Sequence, residues 1–232
     1  MTGEPVMVSA QGGPRAEKST NDKAGLGSRT RHKLAGISLL WVAFLLTGCA
    51  TTPPGNPDNI CDIFDDKPGW YAHAQRAQKK WQSPIPTMMS IMYQESGFVH
   101  NARPPRRKIL WLVPGPRKSS AAGYAQAKVE TWKEYERSSG NAWARRDRFK
   151  DAIDFIGWYN HQSTRRSSIN SRDSYHLYLA YHEGHGGFNR GSYRSKQWLQ
   201  TTARQVANRS DRYAAQLAKC EKRFRRSWWW PF

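Results

Sequence analysis

The stretch Ile85-Pro86-Thr87-Met88-Met89-Ser90-Ile91-Met92-Tyr93-Gln94-Glu95-Ser96-Gly97-Phe98 decides how this 232-residue chain reads. Ile85, Met88, Met89 and Met92 fall at i, i+3, i+4 and i+7, the spacing that lays an apolar stripe along one face of an α-helix. Ser83-Pro84 precedes the stripe as N-cap and first helical residue, and Gly97 supplies the stop. A single carboxylate, Glu95, therefore stands near the end of an otherwise apolar helix. Met88, Met92 and Phe98 are its apolar neighbours in sequence, and such a setting disfavours the anion and raises a carboxyl pKa. A carboxylic acid tuned in this way delivers a proton at neutral pH.

Helical patterns continue on either side. Tyr71, Ala74, Ala77, Gln78 and Trp81 predict a helix over 70–81. Further helices are predicted over 131–137, 148–159, 173–182 and 196–219. The last of these carries Leu199, Ala203, Val206, Tyr213 and Leu217 on one side. Lys108 to Val113 reads as a short strand, bracketed by Pro104-Pro105 and Pro114-Gly115-Pro116. The fold class is thus mainly α with a small β element, in one domain without internal repeats. Eleven Trp, ten Tyr and eight Phe supply an aromatic core.

Two further blocks follow the first: Ala122-Gly123-Tyr124-Ala125-Gln126 and Ala180-Tyr181-His182-Glu183-Gly184. In this order the three resemble the catalytic domain of the lytic transglycosylases of the soluble (SLT) type, related to goose-type lysozyme. The resemblance implies an α+β lysozyme-like fold over residues 61–220. It also implies that Glu95, followed by Ser96, is the only catalytic acid. Gly123, Tyr124 and Gln126 match the family's Gly-Leu-Met-Gln turn, and Gln126 its sugar-binding glutamine. Tyr181 and His182 match its Ala-Tyr-Asn-x-Gly segment, and Tyr159 a tyrosine that lines the cleft. The chain departs from the pattern at Tyr124 and Ala125, which replace Leu and Met, and at His182, which replaces Asn. Thirty residues separate Glu95 from Gln126, more than is usual in the family. The excess is the basic segment 103–118, either a binding surface for the carboxylates of peptidoglycan stem peptides or a solvated loop.

The implied reaction cleaves the MurNAc-GlcNAc β-1,4 bond of peptidoglycan glycan strands. One Glu acts first as acid and then as base, a 1,6-anhydroMurNAc end forms, and no cofactor takes part. No acidic residue follows Glu95 until Glu130, beyond the second block, in keeping with a single-acid site. Glu183 is the one carboxylate that would permit a goose-type, water-using hydrolase. His182-Glu183-Gly184-His185 has i, i+3 spacing and is not the His-Glu-x-x-His zinc motif, so no metal is expected. A non-catalytic, peptidoglycan-binding envelope lipoprotein is a third reading.

The formal charge of +19 calls for a polyanionic partner, and by itself it would favour nucleic acid. Residues 34–48 redirect it. Arg31-His32-Lys33, the apolar run Leu34 to Leu46 and then Thr47-Gly48-Cys49 form a secretory signal whose end resembles the bacterial lipobox, with Cys49 as the acylated residue. Export excludes a cytosolic nucleic-acid binder and places the protein in the periplasm, anchored to the outer membrane by lipid on Cys49. Residues 1–33 are polar and read as a disordered extension, or as sequence upstream of the true start. Residues 49–60 form a proline-rich tether. Two of the three cysteines remain, Cys61 and Cys220, and they pair as a disulfide in an oxidising compartment. The segment 221–232 is basic and then aromatic. It suits a membrane interface or an envelope protein partner, or is a disordered tail with incidental tryptophans. Cys49→Ser is expected to move the protein out of the membrane fraction on cell fractionation; an unchanged membrane fraction would count against the anchor.

Overall fold

The computed structural model describes residues 52–109, 113–117 and 119–227. The signal-like run, Cys49, the last residues of the aromatic tail (228–232), and positions 110–112 and 118 of the basic insertion lie outside the described residues. The described chain runs α1 (Ile60–Asp66), α2 (Trp70–Trp81), α3 (Ile85–Ser96), β1 (Arg106–Ile109), β2 (Val113–Arg117), α4 (Val129–Ser139), α5 (Phe149–Ser167), α6 (Ser174–Asn189) and α7 (Gln197–Ser227). It is a mainly helical, lysozyme-like domain with one small antiparallel hairpin.

The apolar stripes become the core. Ile85, Met88, Met89 and Met92 of α3 are fully buried, as are Leu199, Ala203, Val206 and Tyr213 of α7. Helix α5 packs against α2, α3, α4 and α6, and the long α7 against α1, α3 and α6. Aromatic rings fill the space between them. Trp70 stacks on Phe149 at 3.8 Å and 7°, and Tyr124 meets both rings edge-on. Trp132, Tyr135, Phe155 and Trp158 form a second group. Buried aromatics carry much of the apolar area in a chain with modest aliphatic content.

Several predicted boundaries shift, each for a local reason. Pro84, not Ser83, is the N-cap of α3. The Ser83 hydroxyl accepts from the Asn160 amide instead, and the first free N–H, on Ile85, donates to Gln78 Oε1 at 2.8 Å. The predicted strand 108–113 spans the connection of a hairpin. Pro114 and Pro116, read as brackets, lie inside β2, where a two-stranded sheet leaves one edge of each strand unpaired and able to tolerate proline. Helix α1 is too short for a periodic signal, and is started by the Asn59 side chain, which accepts from Cys61 N. Helices α5, α6 and α7 run several residues past their predicted ends because tertiary packing, not propensity, carries them.

The two ends of the domain are fastened together. Cys61 and Cys220 form a disulfide with Cα atoms 6.2 Å apart. The stretch read as tether is docked on α7 from Pro57 onward: Arg209 pairs with Asp58 at 2.7 Å, Tyr213 donates to the Pro57 carbonyl, and Ile60 N donates to Gln216 Oε1. A bridge spanning 159 residues contributes about 5 kcal/mol by loop entropy, and measured losses run about 2–5 kcal/mol. Cys61→Ser/Cys220→Ser is therefore expected to lower the thermal midpoint by roughly 5–15 °C, given about 2–4 °C per kcal/mol for a domain of this size. Calorimetry of the variant and of the reduced protein checks this.

Candidate active site

Glu95 lies in the last turn of α3. Gly97 then takes the left-handed conformation (φ 58°) and its N–H bonds the Tyr93 carbonyl at 2.8 Å. Phe98 follows, also at positive φ, and its fully buried ring packs beside Trp70. This double turn ends the helix just after Glu95, at Ser96, and leaves the Glu95 side chain lining a cleft.

The opposite wall is the turn 122–127, closed by a bridge between Ala122 and Ala127. Gly123 sits at φ +76°, and a Cβ there would lie 2.0 Å from the Arg146 carbonyl oxygen. Only glycine fits this approach. Gly123 N donates to Ala102 O at 2.9 Å, and Tyr124 N to Arg146 O. Gln126 also has positive φ (44°). Its side-chain amide donates to Ala102 O and Gly123 O, both at 2.9 Å, so Oε1 is the polar atom left for a ligand.

Helices α5 and α6 complete the cleft. Phe155, Tyr159, Tyr181 and His182 line it together with Glu95 and Gln126. The Tyr181 hydroxyl donates to Ala125 O at 2.5 Å, tying α6 to the Gln126 turn. Tyr159 donates to Ala180 O and stacks on His185 at 4.6 Å. Helix α6 breaks at Gly184 (φ 74°, ψ 155°), a backbone region essentially confined to glycine.

The electrostatics separate the two carboxylates of the cleft. Burial pushes the Glu95 carboxyl up to about 7, and a hydrogen bond from Tyr178 works in the other direction. The negative end of the α3 dipole also disfavours its anion. Burial likewise raises Tyr181, with the Glu95 charge adding to it, and the ring stays a neutral phenol. Glu183 goes the opposite way. Its desolvation is outweighed by hydrogen bonds from Lys196, Ser192 and His182, and its pKa falls to about 2. Lys196 Nζ lies 2.8 Å from both carboxylate oxygens. Glu183 is therefore ionised at neutral pH and held in place.

The structure brings Glu95, Gln126, Tyr159, Tyr181 and His182 to one cleft. Ser96, Gly123 and Tyr124 are not among the residues lining it. Ser96 Oγ bonds back to Met92 O. Gly123 serves the close approach to Arg146. Tyr124, expected at the substrate, is 1% exposed and belongs to the core. Met88, Met92 and Phe98, expected as the apolar wall of the acid, are fully buried, and Phe155, Tyr159 and Tyr181 of α5 and α6 line the cleft. Tyr178 was missed. It stands three residues before Tyr181, hence on the same helical face, which is the signal that marks it. Among the described residues no three His, Cys, Asp or Glu side chains gather as metal ligands.

A family profile described as the transglycosylase SLT domain matches residues 37–220. The chain belongs to this family, whose members are transglycosylases acting on peptidoglycan. The match begins inside the apolar run 34–46 and ends at Cys220. No curated protein and no solved structure matches the chain.

Because the Tyr178 hydrogen bond favours the Glu95 anion, Tyr178→Phe is expected to raise the Glu95 pKa. The alkaline limb of the activity profile, where Glu95 loses its proton, should move up by roughly one pH unit, the worth of one hydrogen bond of about 1.5 kcal/mol to a charged group. A pH–rate profile of both proteins reads this directly; an alkaline limb that stays put or moves down would separate Tyr178 from the acid.

Proposed function

We propose that the protein is a lytic transglycosylase that cleaves the MurNAc-GlcNAc β-1,4 bond with Glu95 as its single catalytic group. The observation that carries this is the Glu95 carboxyl, raised to about 7 at the edge of a cleft whose other carboxylate is ionised and clamped. Near neutral pH such an acid is substantially protonated and, once ionised, remains basic enough to recover a proton.

In the first step the Glu95 proton goes to the glycosidic oxygen, the C1–O bond breaks, and an oxocarbenium-like centre forms at C1. The Glu95 anion left behind then takes the proton of the C6 hydroxyl as O6 bonds to C1. The 1,6-anhydro ring closes, Glu95 regains its proton, and no water is consumed. Tyr178 stabilises the transient anion. Gln126 Oε1 is placed to accept from a sugar N–H or O–H.

Glu183 supports a second reading, a hydrolase of the goose-lysozyme kind, because it too lines the cleft. Its clamp argues against that role: a carboxylate with a pKa near 2, paired to Lys196, is a poor base for activating water. Residues 34–49 support an exported lipoprotein held at the outer membrane through Cys49, where glycan strands are within reach. The aromatic tail is then available to the membrane or to an envelope protein.

Glu95→Gln is expected to abolish lysis of purified sacculi, a loss of at least about 10³-fold for removal of the only proton donor, with thermal stability preserved. Wild-type products should be one water lighter than reducing ends by mass spectrometry. Reducing ends instead would make the protein a hydrolase, and full lysis by the variant would remove Glu95 from the chemistry.

A further inference from the structure

Two large aromatic side chains stand out as exposed among the described residues, Trp143 at 89% and Trp198 at 57%. Of the two, Trp198 borders the cleft through a residue that lines it, His182. Its ring meets that of His182 edge-to-face, with centroids 5.2 Å apart, and His182 is a cleft-lining residue. Leaving an indole half in water forgoes its burial energy, so the position calls for a reason.

The surroundings of Trp198 are built rather than incidental. Glu183, with a side chain only 5% exposed, holds Lys196 from α6. Lys196 in turn starts α7, its carbonyl accepting from Leu199 N and Gln200 N. Trp198 follows two residues later, so the Glu183–Lys196 pair fixes where the first turn of α7 sits against the broken end of α6. Ser192 closes the same cluster: its hydroxyl donates to Glu183, and its Oγ lies 3.0 Å from Gly187 O. His182 Nδ1 lies 3.1 Å from Glu183 Oε1. An ionised carboxylate only accepts, so Nδ1 carries the proton and Nε2 is the ring's remaining polar atom. The Gly184 break aligns these groups at the rim of the cleft.

We propose that Trp198 and His182 form a sugar-binding subsite that extends the cleft beyond the reacting bond, with one pyranose ring stacked on the exposed indole and a hydroxyl or N-acetyl group bonded to His182 Nε2. The ligand class is a β-1,4-linked N-acetylated glycan, whose rings present flat C–H faces suited to an aromatic plane and polar groups at their edges. Charge has little part in it: a neutral ring is recognised by stacking and one hydrogen bond, and Glu183 acts only through the two residues it positions. The proposal rests on the glycan-cleaving reading of the cleft and adds where a neighbouring sugar lies.

The test uses the full chain carrying Glu95→Gln, so that ligand is bound and not consumed, titrated with the hexamer of β-1,4-linked N-acetylglucosamine by calorimetry and tryptophan fluorescence. Adding Trp198→Ala should weaken binding roughly tenfold, equivalent to about 1.4 kcal/mol, in line with an aromatic anchor. Trp198→Phe should restore most of the affinity, and Trp143→Ala should change nothing. Thermal midpoints of all variants should agree within a few degrees. In proteins that retain Glu95, Trp198→Ala should raise KM on sacculi while kcat stays within about twofold. Unchanged hexamer affinity in Trp198→Ala, or an equal loss from Trp143→Ala, would overturn the subsite. Absence of sacculus cleavage by the wild-type enzyme is a separate result that would overturn the catalytic reading instead.

Discussion

A carboxyl group kept partly out of water, with no cation paired to it among the described residues, is the constraint on which the cleft is organised. Glu95 ends an apolar helix, meets the negative end of that helix's dipole, and faces aromatic rings from α5 and α6. Each of these disfavours the anion. Among the described residues one neighbour, the Tyr178 hydroxyl, favours it. The resulting pKa near 7 is a compromise between an acid that would never release its proton and one that would never hold it.

The rest of the site is rigid for a related reason. A group poised in this way is useful only if the substrate bond is held against it, since positioning supplies much of the rate. The walls are accordingly tied to one another through the main chain. Tyr181 bonds Ala125 O, Gln126 bonds Ala102 O and Gly123 O, and Gly123 itself presses on Arg146 O. Side chains that look like substrate contacts in the sequence are here partly structural. Their donors hold the cleft together, and the Gln126 side chain keeps its acceptor oxygen for a ligand.

Glu183 shows the same physics with opposite sign. It lines the same cleft as Glu95, yet Lys196, Ser192 and His182 direct donors at it. Identical chemistry thus yields a neutral acid at one position and a fixed anion at the other, and the fixed anion organises the rim where α6 breaks and α7 begins.

The amino-acid order alone determined the core helices other than α1, the class of fold, the carboxylate near the end of α3 and the pairing of Cys61 with Cys220. These depend on local periodicity, on a short motif and on counting cysteines. What the tertiary structure decided is which residues meet. Tyr124 falls in the core because the Gly123 approach to Arg146 turns it toward Trp70 and Phe149. Tyr178 reaches Glu95 from a helix more than eighty positions away. Trp198 meets His182 where α7, packed against α6 and paired to it through Lys196 and Glu183, begins. A one-dimensional pattern records which faces are apolar. Desolvation, hydrogen-bond partners and ring contacts are properties of three-dimensional neighbours, and those exist only once the helices have packed.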